Sequence, residues 1–162
     1  MSDFDRILLS MYFPQFDSPI NSRFETLFVS ISKMEEPLNN KINLSSSKIY
    51  PEKIVRNEDK RTSIIIKGIP GDMTKSEIRN IISKYGNINY LFLTKELKKK
   101  KNTLMVFLNF INYKTIIPLF MNLRNLRIKK SGIIYKIKIM YSIAQGKQQL
   151  IEYMRKNKFY KI

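Results

Sequence analysis

From Thr62 onward the chain switches between two hydrophobic periods, and the order of the switches leaves few folds open. "TSIIIKGIP" (62–70) is a β-branched run halted by Gly68 and Pro70, the pattern of a strand. Thr74 followed by Glu77 is a helix-capping pair. Ile78, Ile81, Ile82 and Tyr85 then recur at helical spacing, and Gly86 is expected to close the helix in a left-handed turn. "NINYLFLT" (87–94) returns to period two, and the charged loop "ELKKKKN" joins it to "TLMVFLNF" (103–110) as a hairpin. A second helix must begin near Thr115, because Pro118 is tolerated only in a first turn. It carries Ile116, Ile117, Phe120 and Leu123 on one side. "GIIYKIKIMYS" (132–142) is a fourth strand, and a last helix follows Gly146.

The order β-α-β-β-α-β is the ferredoxin-like, split βαβ plan of an α+β domain. It predicts a four-stranded antiparallel sheet with strands one and three in the middle, two helices on one face, and an added C-terminal helix. Alternation assigns each strand residue to a face. Ile64, Ile66, Val106, Leu108, Phe110, Ile137 and Ile139 are expected toward the two helices. Ile65, Lys67, Met105, Phe107, Asn109, Lys136, Lys138 and Met140 are expected on the other face. Strand two fits this scheme if Ile88, Leu91 and Leu93 point inward with a bulge between the first two, which leaves Tyr90 and Phe92 outward. The open face is then basic on one side (Lys67, Lys136, Lys138) and aromatic on the other (Tyr90, Phe92, Phe107), with Lys98, Lys99, Lys100 and Lys101 at its rim.

Charge points to the same face. The chain carries a net charge of +17, but residues 1–60 hold eight Lys/Arg against nine Asp/Glu, while residues 61–162 hold 22 against four. A block so basic repels itself unless it meets a polyanion, and nucleic acid is the first candidate. With neither Cys nor His, the chain lacks thiolate metal sites, a Cys nucleophile and the usual general base. It has no glycine-rich phosphate loop or clustered carboxylates. An enzyme is therefore not expected, and neither is a cofactor, a small-molecule substrate or a membrane association. No apolar run is long enough to cross a bilayer.

Upstream, residues 1–56 read as an extension and linker, with the folded domain at 57–162. Ser22 and Glu25 form a capping pair before Phe24, Leu27, Phe28, Ile31 and Met34, so 22–35 is expected as a short helix. It either packs on the main domain or anchors a protein partner. The stretch 36–60 has the Pro, Asn and Ser content of a linker.

"TLMVFLNF" is an incomplete match to the RNA-binding octamer, which runs basic, Gly, aromatic, small, Phe, aliphatic, any, aromatic. Phe107 occupies a stacking position and Phe110 a core position. Met105, and Ile65 of strand one, stand where further stacking rings are usual. A more specific resemblance lies in the flanks. "NEDKRTSIIIKGIPGDMT" (57–74), "FLNF" (107–110), "IIP" (116–118) and "MYSIAQGKQQLIEYMRKN" (140–157) resemble the C-terminal RNA-recognition motif (RRM) of the Mei-two-like meiosis-regulator family. The Arg61-Thr62 lead-in and the Gln145-Gly146 helix start are its most specific parts. Leu104, Met105 and Val106 depart from that family's Gly-Tyr-Ala.

The resemblance implies a sequence-selective binder of single-stranded RNA, intracellular, acting in post-transcriptional control of meiosis or differentiation. On that reading Phe107, Tyr90 and Phe92 stack on bases, Met105 and Ile65 give apolar contact, and Lys67, Lys136, Lys138 and Lys98 to Lys101 meet phosphates. The alternative is an RRM-fold protein-interaction module, or a ribonucleoprotein subunit with little RNA affinity of its own. The C-terminal helix has two arrangements open to it. It completes the core through Ile143, Leu150, Ile151 and Met154, or it lies across the sheet and competes with RNA, presenting Lys147, Arg155, Lys156 and Lys158.

Overall fold

The computed structural model describes residues 46–96 and 102–159; the expected helix at 22–35 and the Lys98–Lys101 run lie outside them. The elements are α1 (Pro51–Val55), β1 (Ser63–Pro70), α2 (Lys75–Ser83), β2 (Ile88–Lys95), β3 (Thr103–Phe110), α3 (Ile116–Leu123), β4 (Arg127–Lys130), β5 (Ile133–Lys136), β6 (Lys138–Tyr141) and α4 (Lys147–Lys156). The main sheet has the order β2-β3-β1-β6, all pairs antiparallel, with β1 and β3 central. This is the expected α+β plan.

Local chemistry explains the element ends. Thr74 accepts a hydrogen bond from the Glu77 N–H, and the Glu77 carboxylate accepts one from the Thr74 N–H. Pro118 sits at the third residue of α3, where a missing N–H deprives the helix of nothing. Gly86 does not have a left-handed φ. It is required by space instead, since a Cβ there would collide with the side chain of Thr115.

The core follows the alternation. Ile64, Ile66, Val106, Leu108, Phe110, Leu91, Leu93, Ile137 and Ile139 are buried, together with Ile78 and Ile82 of α2 and Ile116 and Leu119 of α3. The β2–β3 register shifts between Ile88 and Tyr90, which is the expected bulge. Two expectations need correction. The fourth strand is broken at Ile137: only β6 joins the main sheet, while β5 folds back on β4 as a separate hairpin. The stretch 46–60 is not a bare linker. Ile49 and Ile54 are buried, α1 forms, and the Tyr141 N–H donates to the Ser47 carbonyl (2.7 Å), so this segment covers the outer edge of β6. Among the described residues no helix is long and apolar enough to cross a membrane.

Candidate nucleic-acid interface

The sheet face away from α2 and α3 carries the row Phe92, Phe107, Ile65, Met140, each side chain directly opposite the next across the strands. This row is not open. α4 lies over it, with Leu150 and Met154 buried against Phe107 and Ala144. Ile65, Tyr90, Phe92, Met105, Tyr153 and Phe159 pack around that cluster, half-buried. The Phe107 ring meets Phe159 at 5.4 Å and Tyr153 at 6.2 Å between centroids, both tilted. Phe107 is only 2% exposed, so the expectation of an outward stacking ring is overturned. Period two placed Phe107 on the correct face. It carried no information about what would cover that face.

The covering helix is the second of the two arrangements the sequence allowed. Leu150 and Met154, four residues apart, form the buried stripe. Ile151 projects from the other side at 39% exposure, and Ile143, ahead of the helix, is 85% exposed, so neither completes the core. An apolar face this size favours being covered, because each large side chain removed from water contributes about 1.5–3 kcal/mol.

A polar clamp sets where α4 begins. The Gln145 Oε1 accepts from the Thr62 and Ser63 N–H groups (3.1 and 3.0 Å). Its Nε2 donates to the Ser63 and Ser142 carbonyls (2.9 and 2.7 Å). The Gly146 N–H donates to Ser63 Oγ (2.8 Å). Ser63 and Thr62 hydroxyls both donate to Asn109 Oδ1 (2.7 Å each), and Asn109 Nδ2 donates to Asn89 Oδ1 (2.8 Å). Thr62, Gln145 and Gly146, the first more than eighty residues from the other two, thus act as one unit that ties the start of β1 to the start of α4. Asn109, a polar residue inside an apolar strand and buried in the fold, is the one sequence signal for this network; alternation assigns it only to the outer face.

Arg61 belongs to a second anchor. Its guanidinium grips Asp59 in a two-pronged pair (Nε to Oδ1 3.0 Å, NH2 to Oδ2 2.7 Å), donates to the Ser46 carbonyl (2.7 Å) and lies 3.8 Å over the Tyr141 ring. Burial pushes the Asp59 carboxyl up, but hydrogen bonds from the Arg61 side chain and N–H and its charge outweigh burial and hold it below 3.8. The folded state therefore binds the Asp59 proton less well than the unfolded chain. The stabilisation is complete above pH 3.8 and is lost as pH falls through the lowered folded value. Asp59→Asn is expected to destabilise the protein near neutral pH and to flatten this acid limb. Urea midpoints measured across pH check it; parallel curves for both proteins would count against a charged Asp59.

The cations divide into groups. Lys67 and Lys138 sit directly opposite each other on β1 and β6, Lys138 exposed and Lys67 half-buried. Lys136, expected beside them in the sheet, is exposed on β5 and faces Arg127 of β4. The break at Ile137 moved it onto the hairpin.

The profile of the family described as RNA recognition motif 2 matches residues 61–155. The chain belongs to the RNA recognition motif 2 family. This RNA recognition motif 2 chain is 30% identical over 145 residues to the protein MEI2-like 1 of Arabidopsis thaliana, covering 86% of this chain and 15% of that protein. It is 30% identical to MEI2-like 5 of the same plant over 141 residues, 82% of this chain and 18% of that one. MEI2-like 4 of Oryza sativa subsp. japonica is 26% identical over 144 residues, 88% and 14% of the two chains. The RNA recognition motif 2 chain thus spans less than a fifth of the relatives it matches, and the resemblance expected from its flanking motifs is the one found. Among solved structures, an Rna15 RRM with bound RNA (GU) aligns at TM-score 0.43 and 16% identity, covering 58% of this chain and 96% of that one.

Proposed function

We propose that the chain binds single-stranded RNA with α4 in place, along the basic part of the sheet face beside the helix, and that it acts in post-transcriptional regulation. The observation that carries this is the Lys67–Lys138 pair. Like charges directly opposite across two strands are destabilising, and a phosphate bridging both ammonium groups reverses the sign. Magnitudes favour a closed helix. Lifting α4 re-exposes Leu150 and Met154 at about 1.5–3 kcal/mol each. It also breaks the Gln145 bonds, at about 0.5–1.5 kcal/mol each. A base stacked on Phe107 returns about 1–3 kcal/mol, and stacking on Tyr90 and Phe92 as well brings the return to about 3–9 kcal/mol against a loss of about 5–12 kcal/mol. Phe107 in this reading supports α4 and does not meet RNA. Tyr90 and Phe92, on β2 at the opposite edge of the sheet, pack under α4 with Ile65 and Met105 and so stay off the bound strand, and the Lys98–Lys101 run adds charge that speeds association.

The test is affinity of the full chain for a random-sequence RNA oligomer against salt. Wild type is expected to weaken steeply as salt rises. Lys67→Gln with Lys138→Gln is expected to reduce the slope of log affinity on log salt by about 1.4, two single-strand phosphate contacts. An unchanged slope and affinity in that variant removes the pair from the interface. A protein-binding reading has the exposed Ile143 and Ile151 in its favour. Undetectable RNA binding beside a stable protein complex would establish that one.

A further inference from the structure

We infer that the phosphate-binding surface continues past the sheet onto the β4–β5 hairpin, where Arg127, Lys129 and Lys136 extend the track begun by Lys67 and Lys138. The ligand class is the phosphodiester backbone of single-stranded RNA, so the inference rests on the RNA-binding reading above.

The register puts these cations on one side. In the hairpin Arg127 faces Lys136, Ile128 faces Tyr135, Lys129 faces Ile134 and Lys130 faces Ile133. Tyr135 is buried, and Ile128 lines an apolar pocket with Ile78, Ile82, Ile66 and Ile137, so that face looks toward α2. Arg127, Lys129 and Lys136 are on the opposite face, all exposed. Ile137 and Ile139 are both buried, which places Lys136 and Lys138 on the same side across the break between β5 and β6. Lys138 in turn faces Lys67.

The hairpin is held rigidly against the sheet. Ser131 and Gly132 both have positive φ (49° and 75°), the tight two-residue turn that suits the twist of paired strands. The Ile137 N–H donates to the Leu126 carbonyl (2.9 Å) at the hairpin's base. Gly68, with φ 79°, lets β1 pass so close to the Lys136 carbonyl that any Cβ there would collide with it.

Charge supplies the second argument. Arg127 with Lys136, and Lys67 with Lys138, are two like-charged cross-strand pairs separated by one residue of chain. Among the described residues none of these five cations is paired with a carboxylate, whereas Lys130, on the other hairpin face, pairs with Asp72. Five cations on one face without a carboxylate partner among the described residues lower stability unless a polyanion lies along them.

The experiment compares the full chain with the triple variant Arg127→Gln/Lys129→Gln/Lys136→Gln, using the same random-sequence RNA oligomer across salt. The expected result is a log–log slope smaller by about 2, three single-strand contacts, with a thermal midpoint equal to or above wild type. Lys129→Gln alone should lower the slope by about 0.7, and Lys130→Gln should leave it unchanged. If the triple variant keeps the wild-type slope while Lys67→Gln/Lys138→Gln lowers it, the track ends at the sheet and only this inference falls. If wild type binds no RNA, the RNA-binding reading falls with it. Loss of binding to phosphatidylserine vesicles in the triple variant, with RNA binding unaltered, would assign the hairpin to a membrane surface and overturn the inference.

Discussion

Phe107→Ala is expected to lower the stability of the fold by about 3–5 kcal/mol, the usual cost of emptying a fully buried phenylalanine site. The ring is 2% exposed and lies where β3 meets Leu150, Met154, Tyr153 and Phe159, so its loss leaves a cavity between two layers rather than a dent at the surface. Against a typical total of about 5–15 kcal/mol, that is a large fraction. Urea and thermal unfolding should both report it, with a melting point lower by about 10–20 °C. RNA affinity, measured where the variant is still folded, should change little. The reverse outcome, intact stability with binding weakened by about 1–3 kcal/mol, would mean that Phe107 stacks on a base and that α4 is open in solution.

Gln145→Leu is expected to cost about 2–4 kcal/mol. Leucine keeps the bulk but leaves the Thr62 and Ser63 N–H groups and the Ser63 and Ser142 carbonyls without their partner. A buried donor left unpaired costs about 1–3 kcal/mol, and the partial exposure of this site lets water repair some of the loss. Amide hydrogen exchange at Ser63 should quicken, and the α4 amides should follow if the clamp fixes the helix. The RNA readout separates two modes of binding. With RNA on the basic track, loosening α4 should leave affinity unchanged or reduced. A rise in affinity would show that α4 competes with RNA for the rings beneath it.

How far the sequence could be read depended on the range of each signal. Ile64 and Ile66 against Ile65 and Lys67, the capping pair of Thr74 and Glu77, and the bulge after Ile88 are all governed by neighbours a few residues away, and all three are found where expected. Lys136 shows the limit. The unbroken alternation of Ile133 to Tyr141 hid the break at Ile137, because a strand that changes partners keeps its period. Ile49 and Ile54 show another: a short segment with Ser and Pro reads as linker until something distant buries it. The most specific residues of the flanks, Arg61, Thr62, Gln145 and Gly146, were visible as a pattern, but their bonds to one another appear only once β1 and α4 are brought together.

The sequence by itself determined the order of elements, the inner and outer face of each main-sheet strand, and the concentration of positive charge in the last two thirds of the chain. These follow from period, turn chemistry and composition. Tertiary structure alone decided that α4 occupies the aromatic half of the sheet, that Phe107 is a core residue, and which lysines remain facing water. The reason is physical: an apolar stripe specifies that a surface must be buried but not against what, and the partner is chosen by shape and by polar bonds between residues more than eighty positions apart.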